Sequence, residues 1–248
     1  MTATISDKEM QVRQDLAACY RLFIKFGWTD LIFTHLSARV PDEPKHYLIN
    51  PYGLLFQEIT ASNLIKVDFD GNVVAGDYPY NDAGHAIHSA VLKARPDVHS
   101  VLHSHTRAGI AVSCMKQGLL PLSQHAGELR DLVCYHPYGY AVDNEEECRR
   151  LGEDMADKWV MIMNNHGLLS AGRTIPEAFF FLYYLEIACK VQVDVLACNV
   201  ETVYPDQATS DRLAGSLRPT ADGPASFVMQ SWDALIRQLD RENSNFRD

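Results

Sequence analysis

Apolar positions along residues 7–26 recur near helical period, with Val12, Leu16, Tyr20, Leu22 and Phe23 on one stripe, and Gly27 fits the end of that helix. Residues 31–40 are rich in β-formers and predict a strand, as do residues 46–50, after which Pro51-Tyr52-Gly53 turns the chain. Two further β runs, 65–69 and 72–74, flank Asp70-Gly71. That dipeptide supplies the positive φ a tight hairpin needs. A helix over 84–94 is stopped by Arg95-Pro96-Asp97 and followed by a buried strand, 98–103. Thr106 can cap a short helix to about residue 115, whereas 119–136 shows no clear period. Residues 144–158 read as a helix with an acidic first turn, and 159–163 as a buried strand running into Asn164-Asn165-His166-Gly167. Thr174, with Pro176 in the first turn, opens a helix that can reach residue 198.

Helices alternating with strands predict an α/β or α+β sandwich, with helices on both faces of a sheet. From residue 199 the pattern changes: the chain is polar, is interrupted by Pro205, Pro219 and Pro224, and offers one more amphipathic helix, 227–239. The expected organisation is a domain over 1–200 and an arm over 201–248 packed on the body or on a neighbouring subunit. With 248 residues, 47% of them hydrophobic, the chain can build one substantial core. A formal charge of -10 argues against nucleic acid and anionic membrane surfaces as partners. No apolar run is long enough to span a bilayer, and the N-terminus lacks the pattern of a secretory signal. Six scattered cysteines without a Cys-x-x-Cys pair predict reduced core thiols in a cytoplasmic protein.

Candidate chemistry centres on His103-Ser104-His105. Side chains two apart on a strand share a face, so both imidazoles can address one ion, and His166 can supply a third. Three neutral imidazoles suit zinc, iron, cobalt or nickel better than magnesium or calcium, which prefer oxygen.

The ordered run from Asp82 through Gly84, His85, His88, Arg95-Pro96-Asp97 and Val98, then His103-Ser104-His105 and Asn165-His166-Gly167, resembles the class II aldolase/adducin family. Upstream, the stretches 28–39 and 48–60 look most like the adducin head-domain branch. The resemblance covers about residues 10–200. It implies a three-layer α/β/α sandwich around a largely antiparallel sheet, and a homotetramer with active sites at subunit interfaces. In catalytic members it further implies one divalent metal, usually zinc, with iron, manganese or cobalt as alternatives. Placed by position, His103, His105 and His166 fall on the three metal ligands. Such a site keeps an open position where a carbonyl can be polarised.

The departures bear on the reaction. Catalytic aldolases of this family carry a glutamate four residues before the histidine that aligns with His88; here the position is Gly84. Asp82 and His85 are the nearest groups able to move a proton, with His88 in a supporting role. Phosphosugar aldolases use Gly-Asn-x-Ser in the early strand and a Ser-Ser pair ahead of the glutamate. Here these read Thr34-His35-Leu36-Ser37 and Asp82-Ala83, and a carboxylate where a phosphate should dock is repulsive. A small non-phosphorylated hydroxy- or keto-acid is the expected substrate, bound by residues from His35, Ser37, Arg39, Tyr52 and Gly53. His125, His136 and Tyr138 fall in the segment without clear period and are secondary candidates.

Three functions fit these residues. The first is a metal-dependent lyase performing aldol cleavage or decarboxylation. The second is a three-histidine Fe(II) oxygenase on the same scaffold. The third is a non-catalytic adducin-like interaction protein, although residues 200–248 contain no lysine run of the kind actin binding would call for.

Overall fold

A computed structural model describes residues 5–242 and 245–248. The first helix, α1 (Asp7–Phe26), begins where the Ser6 hydroxyl accepts from the Glu9 amide and ends at Gly27 in the left-handed region (φ 70°). Eight strands follow in chain order: β1 (Leu36–Arg39), β2 (His46–Ile49), β3 (Ile65–Asp68), β4 (Val73–Ala75), β5 (Ser100–Ser104), β6 (Val133–His136), β7 (Val160–Met163) and β8 (Gly167–Gly172). They form one sheet in the order β4-β3-β2-β1-β5-β8-β7-β6, antiparallel throughout except for the β6–β7 pair.

Helices cover both faces. α2 (Asp82–Ala94) and α5 (Glu145–Met155) pack together on one side. On the other lie α1, the short α3 (Arg107–Ser113) and α6 (Ile175–Ala197). This is the three-layer α/β/α sandwich around a largely antiparallel sheet. α6 is apolar on nearly all sides because it is enclosed, with Ala178, Leu182, Leu185 and Cys189 fully buried. The fully buried acid at mid-helix, Glu186, accepts hydrogen bonds from the Ser104 and Thr106 hydroxyls, each at 2.7 Å. Those two residues flank His105, so α6 clamps the end of β5.

Several segments differ from expectation. The strand read over 31–40 is confined to β1, because Leu31 (φ 51°) and Thr34 (φ 67°) sit in the left-handed region, which no strand accommodates. The preceding loop instead folds on itself through an Asp30–Phe33 bridge. Residues 119–136 resolve into α4 (Gln124–Leu129), a 3-10 turn (Arg130–Leu132) and β6; these pieces are too short to show a period. Among the described residues beyond 200 there are two helices, α7 (Gln207–Leu213) and α8 (Ser226–Arg241), not one. α8 packs on α1 and α6, its Trp232 ring meeting Phe179 at 5.8 Å, and the Phe246 carbonyl accepts from the Ala61 amide. Of the six uncrosslinked cysteines, Cys19 and Cys189 are buried, whereas Cys114 and Cys198 are exposed and not core thiols.

A buried ion network ties α1 to β3. Glu9, only 3% exposed, accepts from Arg13 at 2.9 Å and from Lys66 at 2.8 Å, and Arg13 also donates to the Ala61 and Leu64 carbonyls. Replacing Glu9 with alanine leaves buried cations without their shared acceptor. We expect a loss of about 3–5 kcal/mol of stability, read as a lower urea midpoint at unchanged slope.

Candidate metal centre

β5 presents Val101 and His103 toward the α2 face of the sheet and Leu102 and Ser104 toward α6, by simple alternation. His105 follows just beyond the strand end and returns to the His103 side. The third imidazole arrives from the turn between β7 and β8. That turn is held by amide bonds from Asn164 to the His136 carbonyl, from Asn165 to Ser113 and from His166 to Met163. Asn165 takes φ 56°, a conformation asparagine tolerates. Gly167 is required by proximity: a Cβ there would lie 2.3 Å from the Ser104 carbonyl oxygen. Its absence lets the two histidine-bearing segments run in contact.

The three rings converge, with centroids 4.6 Å apart for His103–His105, 4.8 Å for His103–His166 and 4.9 Å for His105–His166. One nitrogen from each lies within 4.8 Å of the others. The His103 Nδ1–H donates to the Leu168 carbonyl at 2.9 Å, and the His105 Nδ1–H donates to the Asp30 carboxylate at 3.0 Å. With each ring in the neutral tautomer these acceptors favour, both Nε2 atoms carry lone pairs, and they face each other at 2.8 Å. Two lone pairs so close repel unless a cation or a proton lies between them. Burial, then the neighbouring His35, His105 and His166, holds His103 neutral far below its ordinary range. Burial, followed by His105 and His136, lowers His166 to about 4. Three imidazole nitrogens backed by a carboxylate and a carbonyl is the arrangement that binds zinc-type ions.

The other sequence candidates separate into groups. His35 is buried with its ring nearly parallel to that of His103, centroids 5.2 Å apart. Its Nδ1 lies 2.9 Å from His88 Nε2, and His88 Nδ1 lies 2.5 Å from the Ser37 hydroxyl. The His35 ring lies in the space above Gly84, where a Cβ would come within 2.7 Å of His35 Cδ2. Thr34, just before it, buries a hydroxyl without a partner among the described residues.

Among the described residues no hydrogen bond or ring contact joins Asp82 or His85, read from sequence as acid/base groups, to the triad. They line a cleft between α2 and α5 together with Tyr80, Lys93 and Glu145. His85 there faces the Tyr47 hydroxyl at 2.6 Å. The helical turn that aims Gly84 and His88 at His35 carries Asp82 and His85 to a different side. Arg39 is not an open anion partner, because its guanidinium donates to the carbonyls of Pro44, Leu92 and Val98. Among the described residues no hydrogen bond or ring contact joins Tyr52 or Gly53 to the triad; Tyr52 donates its amide to Pro79, and Gly53 occupies a turn at φ 97°. His125 packs on Tyr184. His136 is held between Asp154 at 2.8 Å and Glu147 at 2.9 Å. Tyr138, 69% exposed, sets its ring 6.3 Å from that of His166. Asp30 and Glu186 had no signal in the sequence, since their partners lie 75 and about 80 positions away along the chain.

With this geometry in place, comparison assigns the class. The chain belongs to the class II aldolase and adducin family: the family's sequence profile, described as the Class II Aldolase and Adducin N-terminal domain, matches residues 14–193. An aldolase II superfamily protein from Pseudomonas syringae shares 45% identity and superposes with a TM-score of 0.92, over 98% of each chain. L-fuculose 1-phosphate aldolase from Glaciozyma antarctica is 27% identical with a TM-score of 0.85, over 100% of this chain and 96% of that one. Alpha-adducin of Mus musculus is 41% identical over 94% of this chain, which spans 33% of that longer protein.

The buried histidines predict how the metal-free protein responds to acid. Burial depresses His35, His88 and His103 below their ordinary 6.5, so below that pH the unfolded chain binds protons the fold refuses. Stability contributed by these groups is present above 6.5 and is lost as pH falls beneath it. Thermal unfolding followed from pH 8 to 5 is expected to show a Tm steady above about 7 and falling below about 6. A flat profile would contradict neutral burial.

Proposed function

We propose that this protein is a metal-dependent lyase that cleaves or decarboxylates a small, non-phosphorylated hydroxy- or keto-acid. The observation that carries the reading is the pair of Nε2 lone pairs on His103 and His105 facing each other at 2.8 Å, with both Nδ1 protons already committed. His166 completes a three-nitrogen face. Zinc is the metal this donor set favours, with iron, manganese or cobalt as alternatives. When bound, it supplies Lewis acidity toward a substrate carbonyl. The chain's own contribution is orientation. Leu168 and Asp30 fix the tautomers, and Glu186 fixes the backbone on either side of His105.

A non-phosphorylated substrate is favoured because the stretch where sugar-phosphate aldolases carry Gly-Asn-x-Ser reads Thr34-His35-Leu36-Ser37, with the His35 ring buried beside His103. Homotetramer formation with sites at the interfaces suits the surface near the triad. Leu31, next to Asp30, is 71% exposed, and Tyr138 stands uncovered beside His166. Six uncrosslinked cysteines suit a cytoplasmic location, and among the described residues no helix is long and apolar enough to cross a membrane.

A non-catalytic, adducin-like assembly role is the second reading, favoured by the 41% identity with alpha-adducin. Metal uptake separates the two. Purified protein is expected to carry or take up one zinc per chain, and His103→Ala to lose it while keeping the circular dichroism of the parent. Failure of the parent to bind any transition metal would leave the assembly reading standing. Iron in the site with oxygen consumption would instead select the oxygenase. Asp30→Ala, which leaves all three ligands in place, should weaken zinc affinity about 10–100-fold in competition with a chelating indicator.

A further inference from the structure

We propose that His35 carries the proton in this site, with His88 and Ser37 as its positioning residues; the inference rests on the metal-dependent reading above. Three independent features of the structure lead to it. The His35 ring lies flat beside His103, 24° from parallel with centroids 5.2 Å apart, which sets it against one of the three converging rings. It is 4% exposed, yet Nε2 has no hydrogen-bond partner among the described residues, while Nδ1 is engaged by His88. Finally, Gly84 is what admits the ring, because any side chain there would strike its Cδ2 and Cγ at 2.7 and 2.8 Å.

The wiring behind His35 is a hydrogen-bonded chain with two polarities. In one polarity the His88 Nδ1–H donates to Ser37 Oγ and His88 Nε2 accepts from His35 Nδ1–H. His35 Nε2 then presents a lone pair. In the opposite polarity the Ser37 hydroxyl donates to His88 Nδ1, His88 Nε2–H donates to His35 Nδ1, and His35 Nε2 carries the hydrogen. Accepting a proton at Nε2 makes His35 an imidazolium whose Nδ1–H stays bonded to His88 Nε2, and giving the proton up restores the neutral ring. Asp82 and His85 have no such connection to the triad face.

In an aldol cleavage, His35 Nε2 accepts the proton of the substrate hydroxyl as the carbon–carbon bond breaks. The bonding pair passes to the carbon beside the carbonyl. The same nitrogen then returns its proton to that carbon, so the histidine finishes as it began. The half-reaction that isolates this role is proton exchange next to a carbonyl, with pyruvate as the probe. Nε2 takes a methyl proton, exchanges it with solvent and returns a deuteron from D2O.

The zinc-loaded protein in D2O is expected to wash out pyruvate methyl protons, followed by proton NMR. His35→Gln should slow this roughly 100-fold or more with zinc content and pyruvate affinity, measured by calorimetry, unchanged. Ser37→Ala should lower the maximal exchange rate at unaltered pyruvate affinity, which a merely structural role would not do. Should His35→Gln fail to fold, 15N-histidine NMR of the unmodified zinc protein decides: the His35 Nε2 resonance is expected to move when pyruvate is added at fixed pH. Exchange at the parent rate in His35→Gln, no exchange in the parent, or an unmoved His35 Nε2 resonance would each overturn the inference while zinc binding stands. A protein that takes up no zinc would instead sink the metal-dependent reading beneath it.

Discussion

Two imidazole nitrogens, His103 Nε2 and His105 Nε2, are held 2.8 Å apart with their lone pairs toward each other, and much of the surrounding structure serves to keep them there. Neither ring can relieve the contact by changing tautomer without giving up its Nδ1–H bond, one to a β8 carbonyl and the other to the Asp30 carboxylate. The strand beneath cannot shift, because Ser104 and Thr106 are both tied to the buried Glu186 of α6. Nor can the His166 turn move away, since Gly167 brings its backbone against Ser104. A cation between the two nitrogens would remove the repulsion, and a loop, a helix and a glycine hold the contact in place.

The second constraint is steric and joins His35 to Gly84. A large ring on β1's approach and a missing side chain on α2 occupy one volume between them. Family resemblance made Gly84 look like a loss, an acid/base position left empty. In the fold the volume is filled by a histidine reaching in from the opposite side and wired through His88 to Ser37. The left-handed backbone of Thr34 sets up that approach, an unusual conformation for a β-branched residue and one that functional sites tolerate.

How much of this was legible follows from what is local and what is not. α1, α2 and α6 were readable as helices, and Thr174, read as the opening of α6, does accept the Glu177 amide. The His-x-His pair could be read because strand alternation alone places both rings together. Residues 31–35 misled because propensity favoured a strand where Leu31 and Thr34 take positive φ. α7 was missed because seven residues carry no buried face to create a pattern. Asp82 and His85 drew attention by their nearness to Gly84 along the chain, but one helical step rotates them into the α2–α5 cleft. Asp30, Glu186 and the His35–His88 contact depend on tertiary distance and left no trace in spacing.

The account stands most directly on what surrounds a metal in this protein. X-ray absorption at the zinc edge of the zinc-loaded chain reads that shell. The account predicts three imidazole nitrogens at about 2.0–2.1 Å with a light-atom ligand in the remaining position, and loss of one imidazole in His166→Ala. A shell containing sulfur, or one without the multiple scattering of imidazole rings, would contradict it.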